Sequence, residues 1–175
     1  MLKIVFNVDL TEAVWRQATL PVSCGGLGVR LATDLALPAF LSSVSGASQL
    51  TLQLQPSRLH AASGSLDPAF ISATVEWQTR SNERAPSPET AGAQKAWDSP
   101  LVSRKREEVL LAAQTPARRD RLIAAAAPHS GDFLNAVPCA SVGTRLDDAS
   151  LHIAVSYISV PPCARPTHVS AANRL

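Results

Sequence analysis

A chain of 175 residues with 46% hydrophobic and 17% charged residues has enough apolar side chain to bury a core, which excludes wholesale disorder. Its net charge is +2, from 16 Lys and Arg against 14 Asp and Glu, too small a balance to announce nucleic acid or a membrane by itself. Thirteen of the 16 cations are Arg, a bias that suits phosphate forks and ion pairs and that GC-rich coding sequence also produces.

The first apolar-periodic segment spans about Asp9 to Ala18. Asp9 is the candidate cap, Glu12 sits three residues on, and Pro21 is the stop. Cys24-Gly25-Gly26-Leu27-Gly28 follows and demands a tight backbone path. A second helix is expected from Ala32 to about Ser45. Thr33 or Asp34 would cap it, Pro38 argues for a late start, and Gly46 for a stop. Gln49 to Gln55 alternates Leu with polar residues, the pattern of a short strand. Asp67-Pro68 reads as a cap and first position of a helix to about Gln78.

From Ser81 to Pro100 the composition turns to Pro, Ser, Glu and Thr, which reads as a solvated linker with a short helix around Trp97. Leu101 to Gln114 is the next helix. Thr115-Pro116 starts another that runs to Ala127, and Pro128 ends it. One turn follows at Asp132 to Asn135. Asp147 and Asp148 open a last element to Val160 that fits both helix and strand, with length favouring helix. The tail from Pro161 reads as loose.

Cys24, Cys139 and Cys163 are an odd, widely spaced set without CxxC, which argues against a disulfide framework and for a reducing compartment. Ile4 to Phe6 is too short for a secretory signal, and Leu35–Leu41 and Leu122–Pro128 fall far short of a membrane span. The expectation is a soluble chain with no membrane association, cytoplasmic or nuclear.

Chemistry has few candidates. Gly25-Gly26-Leu27-Gly28 meets neither phosphate-loop signature, so a structural turn is expected. His60, His129, His152 and His168 are scattered. Cys163 and His168 have a spacing that a zinc site uses, with only Cys139, His129 or His152 to supply the other ligands, so no metal and no cofactor are expected. Cys139 with His129 is rejected as a nucleophilic pair for want of any sign of proximity. His129-Ser130-Asp132 is rejected as a triad because side chains so close in sequence rarely reach that geometry. The neighbours Glu107-Glu108 and Asp147-Asp148 diverge on a helix and do not share a proton. No Tyr/Phe-x-Asp-Asp occurs. Arg104, Lys105, Arg106, Arg118, Arg119 and Arg121 are opposed by Glu107, Glu108 and Asp120, which leaves +3 on this stretch and about −1 on the rest. A phosphate backbone suits such a patch. A solvated face with an Arg104–Glu108 pair is the bland alternative.

Two stretches, Asn7 to Ser43 and Arg119 to Val160, resemble in this order the region after the reverse transcriptase domain in non-LTR retrotransposon polyproteins. Trp15, Gln17, Leu20, Pro21, Gly25, Gly26, Leu27, Gly28 and Arg30 match the first part of that pattern. Ala127 to Leu134, with His129, Gly131 and Asp132, and then Leu146 to Val155, with Asp147, match the second. The middle, about 50 to 115, resembles it less. The resemblance implies a truncated fragment that is not an enzyme, because the palm with its metal-binding aspartates lies upstream in the parent. It also implies a helical, thumb-like role beside that palm, holding RNA or DNA by its backbone through the six cations named above. Cys163 and His168 would be the remnant of a downstream zinc knuckle.

The expected fold is mainly α: an irregular helical domain with long loops and at most a minor short strand pair. Its expected parts are 1–80 with the glycine turn, a linker at 81–100, a helical part at 101–160 and a tail at 161–175. A rival reading is an orphan helical interaction module without a nucleic-acid role, in which half-exposed Trp15, Trp77 and Trp97 anchor a protein partner. A third is a chain that does not fold stably without the palm.

Overall fold

The computed structural model describes residues 11–54 and 67–159, and among these it is mainly helical with no strand. The expectations for Met1 to Leu10, His60 and the tail from Pro161 lie outside the described residues. The chain divides into two compact units. One joins the residues up to Val29 with those from Val109 onward, and the other is Arg30–Glu108. The expected boundaries at 80 and 100 are therefore not where the chain divides, and the glycine turn belongs with the C-terminal helices.

The first helix of the discontinuous unit among the described residues is α1, Glu12–Ala18. Its cap is Thr11, whose hydroxyl accepts the Val14 amide at 3.4 Å, and not Asp9. A 3-10 turn at Val22–Cys24 follows. After Val109, which opens the unit's second stretch, come α5 (Pro116–Ala125), α6 (Asp132–Asn135) and α7 (Asp148–Ser159). The open choice at 149–160 resolves to helix, capped where the Ser150 amide donates to the Asp147 carboxylate at 2.7 Å. Helix α7 packs on α1 and α5, with Val155 buried. Leu20, Val109 and Leu122 form a second small core with Cys24, Leu110 and Ala113 around it.

In the Arg30–Glu108 unit, α2 runs over Ala32–Leu54 and α3 over Pro68–Ser81, and the two pack together. Two expectations are corrected here. Residues 49–54 are helical rather than a strand, and Gly46 does not stop α2. With no partner strand among the described residues, a short alternating run gains more by continuing an existing helix. Gly46 serves another purpose: a Cβ on Gly92 would stand 3.2 Å from the Gly46 Cα, so the two glycines let backbones touch. Helix α2 also starts at Ala32 despite Pro38, which is fully buried. Pro38 removes one helical hydrogen bond, and its burial in an apolar setting offsets part of that loss.

The expected linker at 81–100 is the largest correction. Helix α4 covers Gln94–Leu111 without interruption, with Pro100 inside it, so the separate helix 101–114 does not exist. Trp97 is 2% exposed and Trp77 0%, with ring centroids 5.0 Å apart in an edge-to-face pair. The Trp77 indole donates to the Trp97 carbonyl at 2.7 Å, and the Trp97 indole to the Ala91 carbonyl at 2.7 Å. Leu41 and Ala91 complete this core. Polar composition misled because a single buried Trp outweighs several exposed Ser and Glu: each such ring removes 150–250 Å² from water, roughly 4–6 kcal/mol. Neither Trp77 nor Trp97 is a surface anchor, and Trp15 is half-buried.

Two long-range ion pairs lie in the same unit. Arg30 grips Asp98 by both terminal nitrogens at 3.0 and 2.6 Å, each side chain only 19% exposed, and Lys105 meets Asp34 at 2.6 Å. Trp97→Ala is expected to cost roughly 3–5 kcal/mol in urea unfolding, since it empties the core and orphans the Ala91 carbonyl. Trp97→Phe should cost less.

Candidate functional site

Most of the residues that carry the resemblance lie in the discontinuous unit, whereas Arg30 belongs to the other, on Asp98. Helix α1 ends in a buried run of Gln17, Ala18, Thr19 and Leu20. Pro21 turns the chain, and Gly25 takes left-handed backbone at φ 81°. The following segment then folds back on the helix end. Gly25 donates to the Val22 carbonyl at 3.0 Å and Gly26 to Pro21 at 3.1 Å. Leu27 and Val29 both donate to the Ala18 carbonyl at 3.2 Å, and Gly28 donates to Leu20 at 3.0 Å. The Gln17 side-chain amide donates to the Gly25 carbonyl at 3.1 Å.

The glycines are there because nothing else fits. A Cβ on Gly26 would lie 2.1 Å from the Leu20 carbonyl oxygen. One on Gly25 would meet the Ala126 nitrogen at 3.1 Å, so the turn lies directly on the end of α5. The second stretch closes from the other side: a Cβ on Gly131 would stand 2.3 Å from a Val22 methyl. Ser130 donates its hydroxyl to the Ala125 and Ala127 carbonyls, which ties the His129 turn to the end of α5. His129 has φ 67° and pairs through Nδ1 with the Asp132 carboxylate at 2.8 Å, in an exposed position.

The chemistry follows from these bonds. A phosphate cradle needs backbone N–H groups that point outward. All five amides from Gly25 to Val29 donate inside the turn, so this glycine loop has none to offer. A serine nucleophile needs its hydroxyl on a base. The Ser130 proton goes to backbone carbonyls instead, and His129 faces Asp132. The Cys139 thiol faces the Ser141 hydroxyl at 3.0 Å, not His129. That hydrogen bond, with the Val142 and Ser141 amides, holds the thiol below its ordinary range in an exposed loop. Among the described residues no three of His, Cys, Asp and Glu come close enough to hold a metal. Cys163 and His168 lie outside them.

The six candidate cations fall into different units. Arg104, Lys105 and Arg106 belong to Arg30–Glu108, and Arg118, Arg119 and Arg121 to the other. Arg104 leans toward Glu108 at 3.9 Å, and Lys105 is held by Asp34. Arg106 is half-buried, with a buried Nε that has no partner. On α5 the Arg118 and Arg119 side chains make no ion pair among the described residues, whereas Arg121 has a contact of its own. Sequence reading missed Val22, Ala125 and Ala126 as the seat of the glycine turn, and Asp34 and Asp98 as the anions that hold Lys105 and Arg30. Small or ordinary residues paired across some 70–100 positions leave no local signal.

Compared with protein-family models, curated proteins and solved structures, the chain matches none.

Gly26→Ala is expected to destabilise the chain by roughly 3 kcal/mol or more in urea unfolding, because backbone must move. Gly143→Ala, whose Cβ meets nothing at φ 72°, should cost only about 1–2 kcal/mol. A pH effect should appear at α7. The Ser150 amide and then its hydroxyl hold the Asp147 carboxyl below its ordinary value. A depressed carboxylate contributes stability above its unfolded pKa and loses it as pH falls through the folded one. The helical signal of α7 should therefore decline below about pH 4. Asp147→Asn, which still caps, should flatten that decline in circular dichroism.

Proposed function

We propose that the chain is a non-catalytic helical fragment of the kind that follows the reverse transcriptase domain of a non-LTR retrotransposon polyprotein. Its role is architectural, beside a polymerase palm inside the cell, with a minor contact to RNA or DNA backbone. The observation that supports this is the joint itself. Two stretches about 100 residues apart carry the resemblance, and they interlock through Gly25 on Ala126 and Val22 on Gly131. The motif residues Gly25 and Gly131 each leave room for a residue of the other stretch, a packing task that supports a scaffold rather than a reaction centre.

Nucleic-acid contact narrows to α5. Arg30–Glu108 holds eight cations and eight anions, a net of zero, and its long-range pairs occupy Arg30 and Lys105. Any contact is therefore local, from Arg118 and Arg119, rather than the field of a whole unit. The second reading, a helical interaction module with no nucleic-acid role, draws on that same neutrality. It also draws on Ile71 and Val75, which lie four apart on α3 and stand 47% and 57% exposed.

Filter binding to single-stranded RNA separates the two. Two phosphate contacts should give a slope of log K against log salt near −1.4, and Arg118→Gln/Arg119→Gln should abolish it. Retention that ignores both salt and the double substitution would favour the interaction module. Metal-dependent nucleotide addition by the purified chain would sink the non-catalytic reading.

A further inference from the structure

We infer that Thr115 is a phosphorylation site whose phosphate is clamped by Arg118 and Arg119. The sequence holds three hydroxyl-proline pairs, Ser87-Pro88, Ser99-Pro100 and Thr115-Pro116. A protein kinase takes its acceptor in extended backbone, from an exposed segment that can leave the fold. Ser99 is locked inside α4. Ser87 is exposed, but its carbonyl holds the Thr90 and Ala91 amides at 2.9 and 2.8 Å, and the third residue after it is Thr90, without charge.

Thr115 also accepts two amides on its carbonyl, those of Arg118 and Arg119 at 3.1 Å, and differs from Ser99 in its backbone and from Ser87 in the charge that follows it. It is exposed and lies between α4 and α5 with φ −129° and ψ 146°. Pro116 follows, a residue with no N–H, which suits a kinase cleft that offers no acceptor there. Arg118 stands three positions on and offers a cation to an acidic pocket. Unwinding the first turn of α5 breaks few bonds, since Pro116 has no amide and the Arg118 and Arg119 amides are the ones that donate to Thr115.

In the step, the Thr115 Oγ1 attacks the γ-phosphorus of a nucleoside triphosphate held by the kinase. The O–P bond forms, the bond from that phosphorus to the β–γ bridging oxygen breaks, and the nucleoside diphosphate leaves. The hydroxyl proton passes to a carboxylate of the kinase. The product carries about −1.5 to −2 where a neutral hydroxyl stood. That charge sits beside Arg118 and Arg119, which carry no ion pair among the described residues, on a helix of three Arg against one Asp. The helix dipole favours it as well. This changes an N-cap whose hydroxyl now accepts the Arg118 amide at 3.2 Å while its carbonyl accepts the Arg118 and Arg119 amides at 3.1 Å. In consequence, and resting on the reading above, the modification should withdraw the same arginines from RNA.

The test uses the full chain, ATP and a proline-directed kinase that requires a basic residue three positions after its acceptor. Mass spectrometry should place one phosphate on Thr115. Thr115→Asn, which keeps a capping side chain, should take none. The thermal midpoint of the modified chain should rise by about 2–4 °C. Arg119→Gln, which leaves the recognition sequence intact, should at least halve that rise. RNA retention at low salt should fall roughly tenfold. Modification of Ser87 or Ser99 with Thr115 untouched, or no modification, would overturn the inference. So would an unchanged or lowered midpoint, or undiminished RNA retention by the modified chain. If the unmodified chain holds no RNA while modified Thr115 still raises the midpoint, the backbone-contact reading fails and the phosphate clamp stands.

Discussion

The discontinuous unit depends on the capture of the 25–29 amides by the carbonyls that follow and end α1. A helix end leaves its last carbonyls without partners. Here Ala18 and Leu20 receive theirs from Leu27, Val29 and Gly28. The chain can return that closely only if Gly26 has no side chain and Gly25 can turn left-handed. Once closed, the turn is flat enough for α5 to end against it and for Gly131 to take the Val22 methyl. The positions of α5 and of the His129 turn therefore follow from a hydrogen-bond requirement at the end of a seven-residue helix.

The Arg30–Glu108 unit is held by a different means. Its centre is a pair of crossed indoles, each donating to a backbone carbonyl, so both large rings are buried without leaving an unpaired N–H. Around it, the Arg30–Asp98 fork and the Lys105–Asp34 pair join residues 68 and 71 positions apart. These pairs decide more than stability. They occupy cations that a reading of charge along the chain would offer to a phosphate backbone.

Much of the helical plan was legible in the sequence. The Asp67-Pro68 and Thr115-Pro116 starts are local devices, and local devices survive into the fold. The rejection of the phosphate loop was also legible from the absent signatures. The stretch from Ser81 to Pro100 was not, because its fate turns on Trp97 finding Trp77, 20 residues away. Gly46 looked like a stop because glycine usually marks one, whereas its reason lies on Gly92. The grouping of the glycine turn with the last helices ran against the expected division at 80 and 100, since contacts across about 100 residues are invisible to periodicity.

Together these features describe a chain in which glycines, histidine, serine and aspartate that could suggest catalysis are engaged in holding turns shut. Helix α5 carries an exposed Arg119 and a half-buried Arg118, with an exposed threonine at its start. The most direct test of the central claim is amide hydrogen exchange at Gly25, Gly26, Leu27, Gly28 and Val29. Internal donation by all five should protect them to the level of α1 and α5, so that they exchange only as the whole unit opens. Exchange at the rate of a free glycine loop would contradict the closed joint and return these amides to the list of groups able to bind an anion.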